Sequence, residues 1–190
     1  MPFLLYTDAQ MTTEAISPFQ LDFNGRGKQE IKLYFGSPDP NERLIPKTDD
    51  KIMLAATSRL KKWESEHTYH AGDIVEPTIA NGYMYQCSGN GQSGSSEPAW
   101  TTKPGSKCSS GGLIFINLGG KFQPADVQIA SSAAELNNAG SVLELGAQFH
   151  GGSALPVFIR VTNSSNTVRT DRTDPCISIR LNATTTETNA

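Results

Sequence analysis

Three histidines, nineteen carboxylates and three cysteines are the side chains of this 190-residue sequence best suited to chemistry. His67 and His70 stand three apart and close to Asp73, the one spacing that suggests a metal site. On a helix the two rings would share a face, but they flank an expected strand start, where positions i and i+3 point to opposite sides. A structural or solvent-facing role is expected for both, and for His150 beside Gly151 and Gly152. Paired carboxylates occur as Asp49-Asp50 and as Glu64 with Glu66. Glycoside hydrolysis requires two carboxyls facing each other across roughly 5 to 9 Å, which neighbours in one loop do not provide. The chain has no Gly-x-Ser-x-Gly elbow, P-loop, His-Glu-x-x-His helix or Cys-x-x-Cys pair. The expectation is a non-enzymatic protein without cofactor or metal.

Aromatic rings are the remaining candidates, because an exposed ring stacks on the C–H face of a sugar. Trp63 and Trp100 are the only two tryptophans, and Tyr69, Tyr83 and Tyr85 lie between them. A unit of about 55 residues has few other apolar groups for a core, so Trp63, Tyr85 and Trp100 are expected inside it. Tyr69 and Tyr83 are the better candidates for exposure, and Tyr69, Tyr83 and Trp100 form the candidate glycan-contact set. Asp73 is expected to cap the Gly72-Asp73 turn by accepting from nearby backbone N–H groups. Asn81-Gly82 is a two-residue hairpin signal, followed by a period-two strand with Tyr83, Tyr85 and Cys87 on one face. The Gly/Ser-rich run from Ser88 to Ser96 is expected to be loop, either a contact loop or a tether.

These residues need a scaffold, and the flanks supply strand patterns. Met1 to Ala15 is expected to be an arm, loose or ordered only against a partner. Strands are expected at Ile16–Phe23, at Glu30–Phe35 with Ile31, Leu33 and Phe35 on one face, and at Lys51–Ala56, where a short helix is the alternative. Gly36 to Pro46 holds Pro38, Pro40 and Pro46 and is expected to be loop or edge. In the second half, strands are expected at Asp126–Ser131, Ser141–Phe149, Leu155–Thr162 and Pro175–Ala183, with one or two helical turns within Ser132–Gly140. About seven strands at hairpin spacing indicate an antiparallel β-sandwich.

The segment from Trp63 to Trp100 resembles the small aromatic carbohydrate-binding modules of chitinases and of many tailed-phage structural proteins. The matching positions are Trp63, Tyr69, Gly72, Asp73, Val75, Gly82, Tyr85, Cys87, Pro98 and Trp100, with a Gly-Ser-Gly-rich loop before Glu97-Pro98-Ala99-Trp100. Leu143 to Asn163 is similar to a signature of Ig-like domains in tailed-phage virion proteins: Leu145-Gly146, a glycine turn at Gly151-Gly152, then a strand from Phe158 to Val161. Leu21 to Phe35 is similar to the opening hairpin of such domains. The resemblances imply an all-β fold: an Ig-like antiparallel β-sandwich, 16–61 and 119–183, interrupted by an aromatic-cored β module, 62–118. The arm 1–15 and a fraying tail 184–190 complete the organisation. Leu113 to Leu118 is assigned to the module.

The formal charge of -3 and the absence of basic clusters give no reason to expect a nucleic-acid partner. No apolar run is long enough to span a membrane, and no signal-peptide pattern is expected at the N-terminus. An odd cysteine count argues against a disulfide framework and for synthesis in a reducing compartment. A Cys87–Cys108 bridge across the module is the alternative to buried free thiols. The resemblances imply a virion protein made in the bacterial cytoplasm and present as a homo-oligomer in the particle. Its expected partners are other virion proteins, of the capsid, the portal, neck and collar, or the tail. A tail-tip or fibre adhesin for host surface glycans is the second reading, and a secreted carbohydrate-binding accessory protein the third.

Overall fold

Period-two runs of apolar residues bury one face when they pair as strands, and almost every such run in this chain does so. The structure, a computed structural model, describes residues 3–16, 21, 23, 26–47, 50–163 and 177–187. In chain order the strands are β1 (Leu4–Tyr6), β2 (Gly27–Gly36), β3 (Glu42–Pro46), β4 (Ile52–Ser58), β5 (Lys61–Lys62), β6 (Thr68–Tyr69), β7 (Ile74–Glu76), β8 (Tyr83–Cys87), β9 (Gly91–Gln92), β10 (Lys107–Ser110), β11 (Leu113–Gly120), β12 (Val127–Ala130), β13 (Val142–Gly146), β14 (Phe149–His150), β15 (Leu155–Asn163), β16 (Ile177–Leu181) and β17 (Ala183–Glu187). Helical structure among the described residues is limited to two 3-10 turns, Pro124–Asp126 and Glu135–Asn137. The second falls where the sequence predicts a helical turn.

The described residues divide into two compact units. One comprises the described residues up to Thr57 together with those from Pro124 onward, and the other is Ser58–Gln123. The second brackets the expected module, 62–118.

The first unit is an antiparallel β-sandwich, as the sequence predicts. One layer has the order β1-β2-β15-β12. Its central pair runs in register from Leu155↔Phe35 to Asn163↔Gly27, so the segments before and after the module fold as one sheet. The other layer is built from three chain segments and is broken midway, as β13-β4-β16 and β14-β3-β17. Asn182 bridges the break: its Oδ1 accepts Met53 N–H at 2.6 Å, and its carbonyl accepts Lys47 N–H at 3.1 Å. Leu33, Phe35, Val127, Ile129, Val157 and Ile159 of one layer meet Leu44, Ile52, Leu54 and Ala56 of the other. From β2 onward, successive long segments alternate between layers, and the second unit is inserted at the crossing from β4 to β12. The layering is that of a β-sandwich, an architecture shared by domains of differing strand order.

Three expectations are corrected. The N-terminal arm is a strand: Leu4, Leu5 and Tyr6 pair with Gly36, Phe35 and Tyr34, and Phe3 is buried in the sandwich core. Its polar continuation folds back, with the Asp8 carboxylate accepting Thr12 N–H at 3.1 Å and Thr13 N–H at 2.8 Å. The proline-bearing segment Gly36 to Pro46 contains β3, the central strand of its half-layer, because Pro46 is its last residue and Pro38 and Pro40 precede the ladder. The tail expected to fray pairs from Ala183↔Pro46 to Glu187↔Glu42. The strand expected at Ile16–Phe23 lies largely outside the described residues, and Ile16, Leu21 and Phe23 are not in strands.

The second unit is a five-stranded sheet, β10-β11-β8-β7-β5, with a two-stranded ribbon, β6-β9. Trp63, Tyr69, Val75, Tyr85, Cys87, Leu113 and Phe115 form its core. β11 pairs with β8 and β10, which places Leu113 to Leu118 in this unit.

Candidate functional site

The ring cluster is built from β8 outward. Tyr85 is fully buried, and Trp100 packs on it with ring centroids 4.4 Å apart. Phe115 receives Trp100 and Tyr69 edge-on, at 5.6 and 5.5 Å. Such pairs contribute about 1 kcal/mol each beyond the area they bury. Trp63 is 5 % exposed, and its backbone N–H donates to Glu76 O at 2.8 Å. Trp63 and Tyr85 thus sit in the core.

Of the three candidate contact rings, Tyr69 is corrected. It is 3 % exposed, and its hydroxyl accepts Glu64 N–H at 2.8 Å. Its phenol pKa is pushed up by burial. In the short ribbon Tyr69 pairs with Gly91, and its ring lies edge-on to Phe115 in the core of the unit. Tyr83 and Trp100 are half-buried and pack against the cluster with part of each ring in solvent. Tyr83 and Tyr85 lie on one face of β8, two residues apart.

Trp100 is oriented by a residue that the motif contains but the sequence reading leaves without a role, Glu97. Its Oε1 accepts Trp100 Nε1–H at 2.8 Å and Thr78 N–H at 2.8 Å, and its Oε2 accepts the Thr78 hydroxyl. Burial opposes ionisation of Glu97, but the Thr78 and Trp100 hydrogen bonds prevail and its pKa is lowered. Pro98 stands within this Glu97–Trp100 turn and is buried. The carboxylate therefore ties the loop after β7 to the turn that carries the indole.

Gly72 and Gly82 have φ of +99° and +84°, a region that favours glycine. Asp73 caps the first of these turns, accepting His70 N–H at 2.8 Å. His67 Nδ1 lies 3.3 Å from Glu64 and His70 Nδ1 3.8 Å from Asp73, each within its own turn. Among the described residues no group of three His, Cys, Asp or Glu side chains converges. The Gly/Ser run expected as loop is pinned at its centre. It contains β9, and Ser93 is buried, its hydroxyl donating to Glu64 O at 2.8 Å and accepting His67 N–H at 3.0 Å.

Cys87 and Cys108 are free thiols. Both are paired with Phe115, from opposite sides, across three adjacent strands. Two strand spacings separate their Cα atoms by about 10 Å, beyond the reach of a disulfide. Burial pushes the Cys108 thiol pKa up.

The strongest electrostatic feature of the unit is absent from the sequence reading. Glu76 and Lys121 each have a side chain 1 % exposed, and Lys121 Nζ lies 2.7 Å from Glu76 Oε2. Lys62 Nζ reaches Glu76 Oε1 at 3.0 Å from a more open position. Burial alone would raise the Glu76 pKa, but the hydrogen bonds from Lys121 and Lys62 hold it below the usual carboxylate range. No pattern within either short segment signals this pairing, because Glu76 looks like an ordinary strand-end charge.

Together these features define an antiparallel β-sandwich bearing an inserted β module, cored by rings and closed by a buried ion pair. Comparison with protein-family models, with curated proteins and with solved structures finds no match to this chain.

Proposed function

We propose that the protein is a non-enzymatic structural component of a tailed-phage virion, docked on the capsid or neck and collar through its sandwich and projecting the module. The observation that carries this reading is the insertion itself. The module has its own ring core, while β2 and β15 close the sandwich across it. An insert with a core of its own can serve a role distinct from that of the sandwich that carries it. The residues matching the aromatic carbohydrate-binding modules and the phage Ig-like signature support the same reading. Mass spectrometry of purified particles tests it: the chain is expected in virions in several copies, and its confinement to the lysate overturns the proposal.

The half-exposed rings of Tyr83 and Trp100 favour a second reading, an adhesin for host surface glycans at the tail tip or fibre. Tyr69 has no part in that contact set. A glycan array separates the readings: sugar binding that is lost in Tyr83→Ala supports the adhesin, and an array without binding supports a purely structural module.

A further inference from the structure

Asparagine followed by glycine is the dipeptide most prone to cyclise, because no side chain shields the following backbone nitrogen. Two such pairs lie among the described residues, Asn81-Gly82 and Asn90-Gly91. Both asparagines are exposed, and they differ in how the side chain and the following nitrogen are hydrogen-bonded. Asn81 is exposed, and its Oδ1 accepts the N–H of Tyr83, two residues on, at 3.0 Å. That bond folds the side chain back over its own backbone and places a donor on the oxygen where negative charge would develop. Among the described residues Gly82 N–H has no hydrogen-bond partner, and Gly82 lies at φ +84°. The nucleophile is thus unpaired and the electrophile held beside it.

Asn90 is arranged otherwise. It is also exposed, but its Oδ1 accepts Ala71 N–H at 2.8 Å, which draws the side chain toward a distant segment. Gly91 lies in β9 opposite Tyr69, and Ser93 N–H donates to His67 O at 2.9 Å one ladder step away. Hydrogen-bonded pairs alternate along an antiparallel ribbon, so Gly91 and Tyr69 are the next such pair and the Gly91 nitrogen is engaged.

We propose that Asn81 is a site of spontaneous covalent modification promoted by the fold. The Gly82 backbone nitrogen attacks Cγ of Asn81, and the new N–Cγ bond closes a five-membered imide. The Cγ–Nδ2 bond breaks, and Nδ2 leaves as ammonia with the proton from the Gly82 amide. Water then opens the imide at either carbonyl, leaving aspartate or its β-linked isomer. The product alters the ring cluster, because Asn81 Nδ2 donates to the Tyr85 hydroxyl at 2.8 Å and that hydroxyl donates to Thr101 O at 2.7 Å. A carboxylate has no proton to donate. It competes with Thr101 O for the single phenolic proton, beside a ring that is fully buried.

The test incubates the intact folded protein in mildly alkaline buffer and follows conversion at each asparagine by peptide mapping. The same incubation in denaturant provides the comparison. In the folded protein Asn81 is expected to convert several-fold faster than Asn90, while in denaturant the two convert at similar rates. Equal rates in the folded protein, or faster conversion at Asn90, overturns the proposal. The same ratio with and without denaturant overturns it too, since local sequence would then suffice.

Discussion

The Glu76 carboxylate meets the Lys121 ammonium at 2.7 Å, with both side chains removed from solvent. Such a pair is costly to break from the Glu76 side, because removing the carboxylate strands the Lys121 charge without water or counter-charge.

Glu76→Gln is therefore expected to destabilise the module by about 3 kcal/mol, and Lys121→Met by less, since Lys62 stays 3.0 Å from Glu76. The double variant Glu76→Gln with Lys121→Met should cost less than the sum of the two, since neither buried charge is left stranded. Urea unfolding of the four proteins checks this double-mutant cycle, and strict additivity would contradict a direct pairing.

Acid should act through the same carboxylate. The folded-state pKa of Glu76 is lowered relative to its unfolded value, so its contribution is present above the ordinary carboxylate pKa and is lost as pH falls through the folded value. Glu97 is lowered as well and adds in the same direction. The module is expected to lose stability in acid below the usual carboxylate range. Glu76→Gln should flatten that dependence when unfolding is measured as a function of pH.

Tyr69→Phe separates a buried hydrogen-bonding role from a ligand-contact role. Without the hydroxyl, Glu64 N–H loses its acceptor, at a cost of about 1 kcal/mol. Any glycan binding should be unchanged in this variant. A loss of sugar affinity at unaltered stability would restore Tyr69 to the contact set.

Phe3 lies 5.9 Å, centroid to centroid, from both Phe35 and Phe149. Phe3→Ala is expected to destabilise the sandwich by about 3 kcal/mol, measurable as a lower denaturant midpoint. An unchanged midpoint would mean that the N-terminal strand contributes little.

Cys87 and Cys108 are expected to remain thiols in air, and both should react with alkylating reagents chiefly after unfolding. A Cys87–Cys108 cross-link in a non-reducing peptide map would require the strands around Phe115 to rearrange.

Much of the fold was legible because strand patterning is local. The alternation of Ile31, Leu33 and Phe35, and of Val157, Ile159 and Val161, marks β2 and β15, whereas Asn81-Gly82 is not the two-residue hairpin its sequence signals but the end of a six-residue connection, 77–82, between β7 and β8. The ring-rich segment likewise announced a separate core, since Trp63, Tyr85 and Trp100 had few other apolar partners. Residues whose role depends on what lies across from them were not legible. Leu4 to Tyr6 looked like a loose arm until the edge of β2 was available to pair with it, and the threonines of β17 gain their order from β3.

The sequence by itself determined an all-β chain with a ring-cored insert, since periodicity and turn residues operate over a few neighbouring positions. Only the tertiary structure decided which charges are buried together, which tyrosine is covered and which thiols are held apart. Those outcomes depend on strand order and register, which bring together residues far apart in the chain and leave no trace in the local pattern of either partner.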